Sequence, residues 1–397
     1  MKILLVGHEL SISGAPNSLL RQACYFRDAG HNVDIFSLRD GDLKQRYLEE
    51  GFNPVIVEDS YDSIREAYNK QNKKYDFILC NTTVTYKVVD FLQRQKTPLV
   101  WFIRETRLVD IGMKEDVAFA NIFKNFYNIY TVSDYAANVC KKYNKHVNVI
   151  YNAIQDNFKK YKTINNTIVF GFIGRISEDK GSKNLIEAFN NLVLENPNTE
   201  LHIAGNYHHE FAKQLQDMNV PNVKWYGEVQ KEEKEKFFNN IDVLVTASLD
   251  EPSGLTVIEG AMYGKPIITT DKTGSNYIVK DKESGFVVKA GDIEDLYKAM
   301  KMILDCDLVS MQKKSRRMYL KYGTTKKERK SVLKMLKENK KNFPVARRID
   351  LDLCRQELCE WYKTATGSVL NLNDPQTFHE KMQWLKLYDS TPIKTSL

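Results

Sequence analysis

Long apolar runs are missing from this 397-residue sequence. No stretch approaches the roughly 18 apolar residues of a membrane-spanning helix. The opening run, Lys2–Gly7 (KILLVG), is too short for the core of a secretory leader, and a loop follows it where a cleavage site would stand. A cytoplasmic chain is expected. Paired cysteines are missing too. Cys24, Cys80, Cys140, Cys306, Cys354 and Cys359 show neither CxxC spacing nor a companion histidine cluster, so they read as reduced, mostly buried thiols, and no structural metal is expected. His208 and His209 are adjacent and diverge on a helix, which makes them loop or helix-start polar residues. No aromatic–basic interleaving accompanies the positive charge, and nucleic acid is not an expected partner.

What remains is a composition able to bury a core: 42% hydrophobic and 27% charged. The length allows about two to three domains. Charge is uneven. Residues 310–348 carry +13 within a chain total of +7, so the remainder carries −6. Such a block is either a solvated helix face or a patch for an anionic membrane surface on its inner side.

The apolar pattern is that of buried parallel strands alternating with helices. Strand-like runs fall at Lys2–Gly7, 33–38, 53–57, 77–80, 99–103, 129–132 and 147–150, with the first helix expected over 17–29. After a polar join at 157–166 the pattern restarts, with runs at 167–173, 200–204, 223–226, 242–246, 266–270 and 286–288. This predicts two Rossmann-like domains, 1–155 and 160–342, the second ending in a basic helical tail, with the site in the cleft where strand carboxyl ends face each other. Residues 343–397 form a separate segment.

Two stretches carry chemistry. Residues 174–181 (GRISEDKG) lie between a strand and a helix, where glycines permit a tight turn and a helix N-terminus favours an anion. Gly174 opens the turn, and Arg175 and Lys180 add two cations. The motif reads as a diphosphate cradle or as a solvated loop. Residues 251–259 (EPSGLTVIE) set Glu251 in a loop and Glu259 about one turn into a helix, with the backbone N–H groups of Ser253, Gly254, Leu255 and Thr256 opening it. Each carboxylate can grip two neighbouring sugar hydroxyls, or be a loop charge and a helix N-terminal acid.

In this order and spacing the two stretches resemble family 4 retaining glycosyltransferases of the GT-B fold. That family carries Arg-x4-Lys and Glu-x7-Glu, matched here by Arg175/Lys180 and Glu251/Glu259. Residues 201–205 (LHIAG), 225–229 (WYGEV), 241–248 (IDVLVTAS) and 261–270 (AMYGKPIITT) are similar to its blocks, densely over 168–305 and more loosely over 1–155. The resemblance implies that Arg175 and Lys180 neutralise the leaving nucleoside diphosphate, that Glu259 holds the ribose and that Glu251 positions the transferred sugar. Gly205 and Val229 would lie near the base, and Gly14 and Ala15, in a small-residue loop after the first strand, near the donor phosphates; alone, that loop is a flexible turn. No cofactor or metal is implied beyond the nucleotide-sugar substrate, a UDP-sugar being the expected donor. Glycan, lipid-linked or protein acceptors are the implied partners.

One point departs from the family. Where many relatives place a histidine, this chain reads Ile103-Arg104-Glu105-Thr106. Arg104 stands for the histidine at the donor sugar or phosphate, or Glu105 orients the acceptor, or the two form a surface ion pair. Residues 355–393 resemble the opening of an ATP-grasp-type module, too short for an ATP site, so the chain reads as truncated from a longer polypeptide; the alternative is a helical tail packed on the two domains. The function expected is hexose transfer in bacterial cell-surface glycan or glycopolymer synthesis. The rivals are a catalytically silent GT-B partner or scaffold, and a nucleotide-sugar epimerase.

Overall fold

The computed structural model describes residues 1–71, 74–95, 97–206, 209–230 and 232–341. Expectations that fall on 343–397 therefore lie outside the described residues.

Two all-parallel sheets organise the chain. The first contains β1 (Lys2–Gly7), β2 (Asn32–Ser37), β3 (Val55–Ile56), β4 (Phe77–Asn81), β5 (Leu99–Ile103), β6 (Ile129–Thr131) and β7 (Val147–Val149), in the order β3-β2-β1-β4-β5-β6-β7. The second contains β8 (Ile168–Ile173), β9 (Thr199–Ala204), β10 (Val223–Gly227), β11 (Val243–Val245), β12 (Ile267–Thr270) and β13 (Gly285–Val288), in the order β10-β9-β8-β11-β12-β13. The central strands β4 and β5 are buried along their whole length, which is why their sequences FILCN and LVWFI show no polar alternation. Each sheet reverses its winding once, between β1 and β4 and between β8 and β11, and ligands of such sheets bind at the strand ends beside that switch.

Helices cover both faces. Those of the first half are α1 (Gly14–Arg27), α2 (Lys44–Glu49), α3 (Tyr61–Lys70), α4 (Tyr86–Gln93), α5 (Arg107–Glu115), α6 (Val117–Asn125) and α7 (Asp134–Lys141). The second half adds α8 (Ser182–Glu195), α9 (Glu210–Asp217), α10 (Glu232–Asn240), α11 (Leu255–Met262), α12 (Ile293–Leu304), α13 (Leu308–Tyr322) and α14 (Thr325–Lys341). Helix α1 begins at Gly14 rather than at 17. Ser13 is extended and Pro16 falls in the first turn, where a missing N–H is harmless, so Gly14 and Ala15 are helical. The strand expected over 53–57 narrows to β3.

The tail helices depart most from expectation. Helix α14 leaves the second domain and buries Val332, Met335 and Leu336 in the first domain's core beside Ile3, Leu5 and Phe26. Its Glu328, 1% exposed at the side chain, accepts from Arg21 Nε (2.6 Å) and Nη2 (2.9 Å) and from Tyr25 Oη (2.8 Å) on α1. In the basic block Arg316 is no surface cation: it is buried, donates to Met262 O (3.0 Å) and Asp156 Oδ2 (2.6 Å), and stacks over Phe158 and Tyr319. Lys313, Arg317, Lys321, Lys326, Lys327 and Arg329 are exposed. No helix among the described residues is long and apolar enough to cross a membrane.

Candidate functional site

The two helices that follow the chemical motifs begin differently from their neighbours. In the second domain α9, α12 and α13 are capped by the side chains of His209, Asp292 and Asp307. Helices α8 and α11 instead start from Gly181 and Gly254 in the left-handed conformation (φ 64° and 73°), with no side-chain cap. Their first N–H groups are thereby left to other acceptors. At Gly254 a Cβ would meet Ser275 Oγ at 2.4 Å, so the loop into α11 demands glycine for both conformation and space.

A small pocket brings the two motifs together. Gly174 and Lys180 from the first stretch line it with Glu251, Gly254 and Thr256 from the second, over Phe172, Ser248 and Thr273. Lys180 Nζ donates to Glu251 Oε2. The other oxygen of Glu251 accepts from the N–H groups of Gly254 (3.0 Å) and Ser253 (3.3 Å). The carboxylate is thus aimed by its own loop, and its charge is balanced by Lys180, both side chains being about four-fifths buried.

The other expected donor residues are arranged around this pair. Gly205 backs onto Gly174, where a Cβ would stand 2.1 Å from the Gly174 carbonyl oxygen. Val229 packs on the core cluster of Ala204, Phe237, Phe238 and Ile258. Glu259 lies one turn into α11 and accepts from Lys234 Nζ at 2.5 Å. Across the cleft a Cβ at Gly14 would stand 3.9 Å from Leu255 Cδ1, and Ala15 O accepts from Asn81 Nδ2 (3.3 Å). Arg175 is the outlier: its side chain is 69% exposed and held by Asp179 (2.7 Å) and Ser177 (3.3 Å) within its own loop.

Arg104 and Glu105 do not form a surface ion pair. Arg104 is buried; its Nε donates to Asn81 Oδ1 (2.5 Å) and its Nη1 to Asn152 Oδ1 (3.1 Å), while Nη2 has no partner. Burial lowers its pKa to about 10, partly offset by Glu328. Glu105 instead accepts from the backbone N–H groups of Thr83 and Arg104, each at 3.0 Å, and burial raises its pKa. The cause of the mismatch is physical: a strand end at a domain junction turns its side chains inward, and local spacing cannot show this.

Several participants left no local signal. Lys234 reaches Glu259 from α10, Asn81 and Asn152 reach Arg104 from β4 and from beyond β7, and Asp250 meets the first domain through Thr106 and Tyr135. His8, directly after β1, has a buried Nδ1 without a partner, and burial lowers its pKa. A larger hollow between α8, α9 and β10, lined by Ile186, Leu215, Val220, Val223 and Trp225 with Gln216 and Asn219, contains no titratable side chain.

Both halves of the chain resemble known proteins. Residues 153–326 match the model of glycosyl transferases group 1, and residues 1–160 match that of glycosyl-transferase family 4. The chain is 30% identical over 151 residues to the capsular polysaccharide biosynthesis glycosyltransferase CapM of Staphylococcus aureus, covering 37% of this chain and 39% of that protein. It is 30% identical over 135 residues to the lipopolysaccharide core biosynthesis glycosyltransferase LpsE of Rhizobium meliloti, 33% of this chain and 38% of that protein. The matches thus span about two fifths of these curated relatives. Among solved structures, Anabaena HepE in complex with UDP and glucose superposes with a TM-score of 0.71 at 17% identity, over 85% of this chain and 100% of that one. The fold is GT-B, and the matches together support a group 1 glycosyltransferase.

Proposed function

We propose that this chain is a retaining glycosyltransferase that moves a hexose-type sugar from a nucleoside-diphosphate sugar, expected to be a UDP-sugar, to an acceptor in bacterial cell-surface glycan or glycopolymer synthesis. One observation carries the reading: Gly174, Lys180, Glu251, Gly254 and Thr256, drawn from two distant motifs, line one pocket at the winding reversal of the second sheet. A diphosphate and the sugar it carries need that set of groups. The capsule and lipopolysaccharide assignments of the relatives, and UDP in the HepE complex, support the donor and the pathway class.

The residues divide the work by chemistry. Lys180, with Arg175 swung in from its exposed position, neutralises the leaving diphosphate, and the uncapped N-terminus of α11 (Ser253 to Thr256) adds N–H donors to its oxygens. Glu251 accepts from hydroxyls of the transferred sugar. Glu259 accepts from the ribose diol, which competes with Lys234 for the same carboxylate. Gly205 and Val229 flank the base. From the first domain, Gly14 and Ala15 bring helical backbone close to the phosphates, and the unpartnered Nη2 of Arg104 supplies a further donor to phosphate or sugar. The side-chain cations serve in place of a resident metal.

Calorimetric titration of UDP, GDP and ADP without divalent metal tests the donor site. Micromolar binding of one nucleotide, lost in Glu259→Ala, is expected; binding of none moves the chain to the catalytically silent scaffold reading. The acceptor is a glycan, a lipid-linked molecule or a protein, and the exposed cations Lys313, Arg317, Lys321, Lys326, Lys327 and Arg329 suit an anionic membrane surface at about 1 kcal/mol per well-placed side chain. Flotation with anionic against neutral liposomes tests that part; equal lack of binding to both rejects it.

A further inference from the structure

The loop that carries Glu251 is tied to its own domain at Glu251, whose N–H donates to Lys272 O at 2.9 Å, and to the other domain through the residues around it. Thr106 Oγ1 donates to both carboxylate oxygens of Asp250, at 2.7 and 2.8 Å, and Tyr135 Oη donates to Asp250 Oδ1 at 2.8 Å. Ser133 Oγ donates to Pro252 O at 2.6 Å, and Asn152 Nδ2 to Ser253 Oγ at 2.7 Å. Four first-domain side chains thus grip three of the four residues from 250 to 253, and the residue passed over is Glu251. Thr106, Ser133 and Asn152 are buried. Burial first, and then the bond to Asp250, raises the Tyr135 pKa, which keeps its hydroxyl a donor. Asn152 also accepts from Arg104, so the segment 104–106 reaches the Glu251 loop from both ends.

We propose that Asp250 is a positioning residue: the hydrogen bonds it accepts from Thr106 and Tyr135 fix, across the domain seam, the loop from which Glu251 and the α11 amides address the donor. The proposal rests on the donor reading of Glu251. It makes the first domain a determinant of donor geometry. Asp250 itself faces Thr106 and Tyr135, so its contribution passes through its neighbour.

The test pairs Thr106→Val/Tyr135→Phe with Asp250→Asn in the full chain. Hydrogen exchange is read at the amides of Ser253 and Gly254, both bonded to Glu251, against core amides of β8 and β12. The expected result is about tenfold faster exchange at those two amides in the double variant, with core amides unchanged. Asp250→Asn, which keeps one acceptor oxygen, should fall between it and wild type. Unchanged exchange, or an equal rise throughout the second sheet, would overturn the proposal. With a donor and acceptor identified, the double variant should lower kcat about tenfold and leave donor KM within about twofold, because orientation is lost and contacts are kept; a rise in KM at constant kcat counts against it. Failure of wild type to bind any nucleotide would remove the donor reading, whereas the exchange result decides the seam by itself.

Discussion

In the second domain the pocket is lined by two short stretches, 172–180 and 246–257, together with Thr273. In the first domain the groups come singly, from Asn81, Arg104, Thr106, Tyr135 and Asn152, and each reaches the site by a bond to a residue far along the chain. The second domain holds charge and helix N-termini without side-chain caps; the first supplies hydrogen-bond donors to the partner loop. The contrast teaches that a binding motif can be local while its alignment is not.

The comparison can be broken first at α14, which joins the halves. Glu328→Ala leaves Arg21 without its counter-charge at a buried position and should destabilise the first domain by about 3–5 kcal/mol, seen as a lowered denaturant midpoint. If stability holds, α14 is not a structural part of the first domain. Next is the local half of the site. Lys180→Ala should reduce transfer by about 10²–10³ in kcat, since it removes a charge needed where negative charge develops. A loss below tenfold would shift that role to Arg175.

A smaller effect sharpens the conformational difference. Gly254→Ala forces a side chain into φ 73° and against Ser275 Oγ, and should cost about 1–3 kcal/mol in thermal unfolding while weakening nucleotide binding. The smallest effect is one of pH. Burial holds the His202 and His8 pKa values below the ordinary 6.5. The unfolded chain therefore takes up those protons first as pH falls, so this part of the stability is present above about 6.5 and is lost as pH drops through the folded-state values. The unfolding midpoint should decline on that side, and His202→Gln should make the decline shallower; an unchanged slope would assign it to other groups.

The pattern of apolar runs made the two sheets legible, because a strand buried on both faces has to be apolar throughout, as LVWFI is in β5. The glycines and charges of 174–181 and 251–259 were legible for a similar reason: turn, cap and ligand group lie within a few residues of one another. The helical character of α14 was readable, yet its destination was not, since the stripe of Val332, Met335 and Leu336 suits either sheet. The family models that match 1–160 and 153–326 follow the same halves.

What the sequence determined by itself was therefore whatever short-range backbone chemistry dictates: strand periodicity, the glycine-opened helices α8 and α11, and the charges of 174–181 and 251–259 beside them. Tertiary structure alone decided that Arg104 is buried with its Nη2 unpartnered, that Lys234 meets Glu259 and that Asp250 answers to Thr106, 144 positions away. Such contacts are made between chain segments that come together only when both sheets are folded and docked. No spacing along the chain encodes them, because each depends on which side chain the other domain presents at that depth of the cleft.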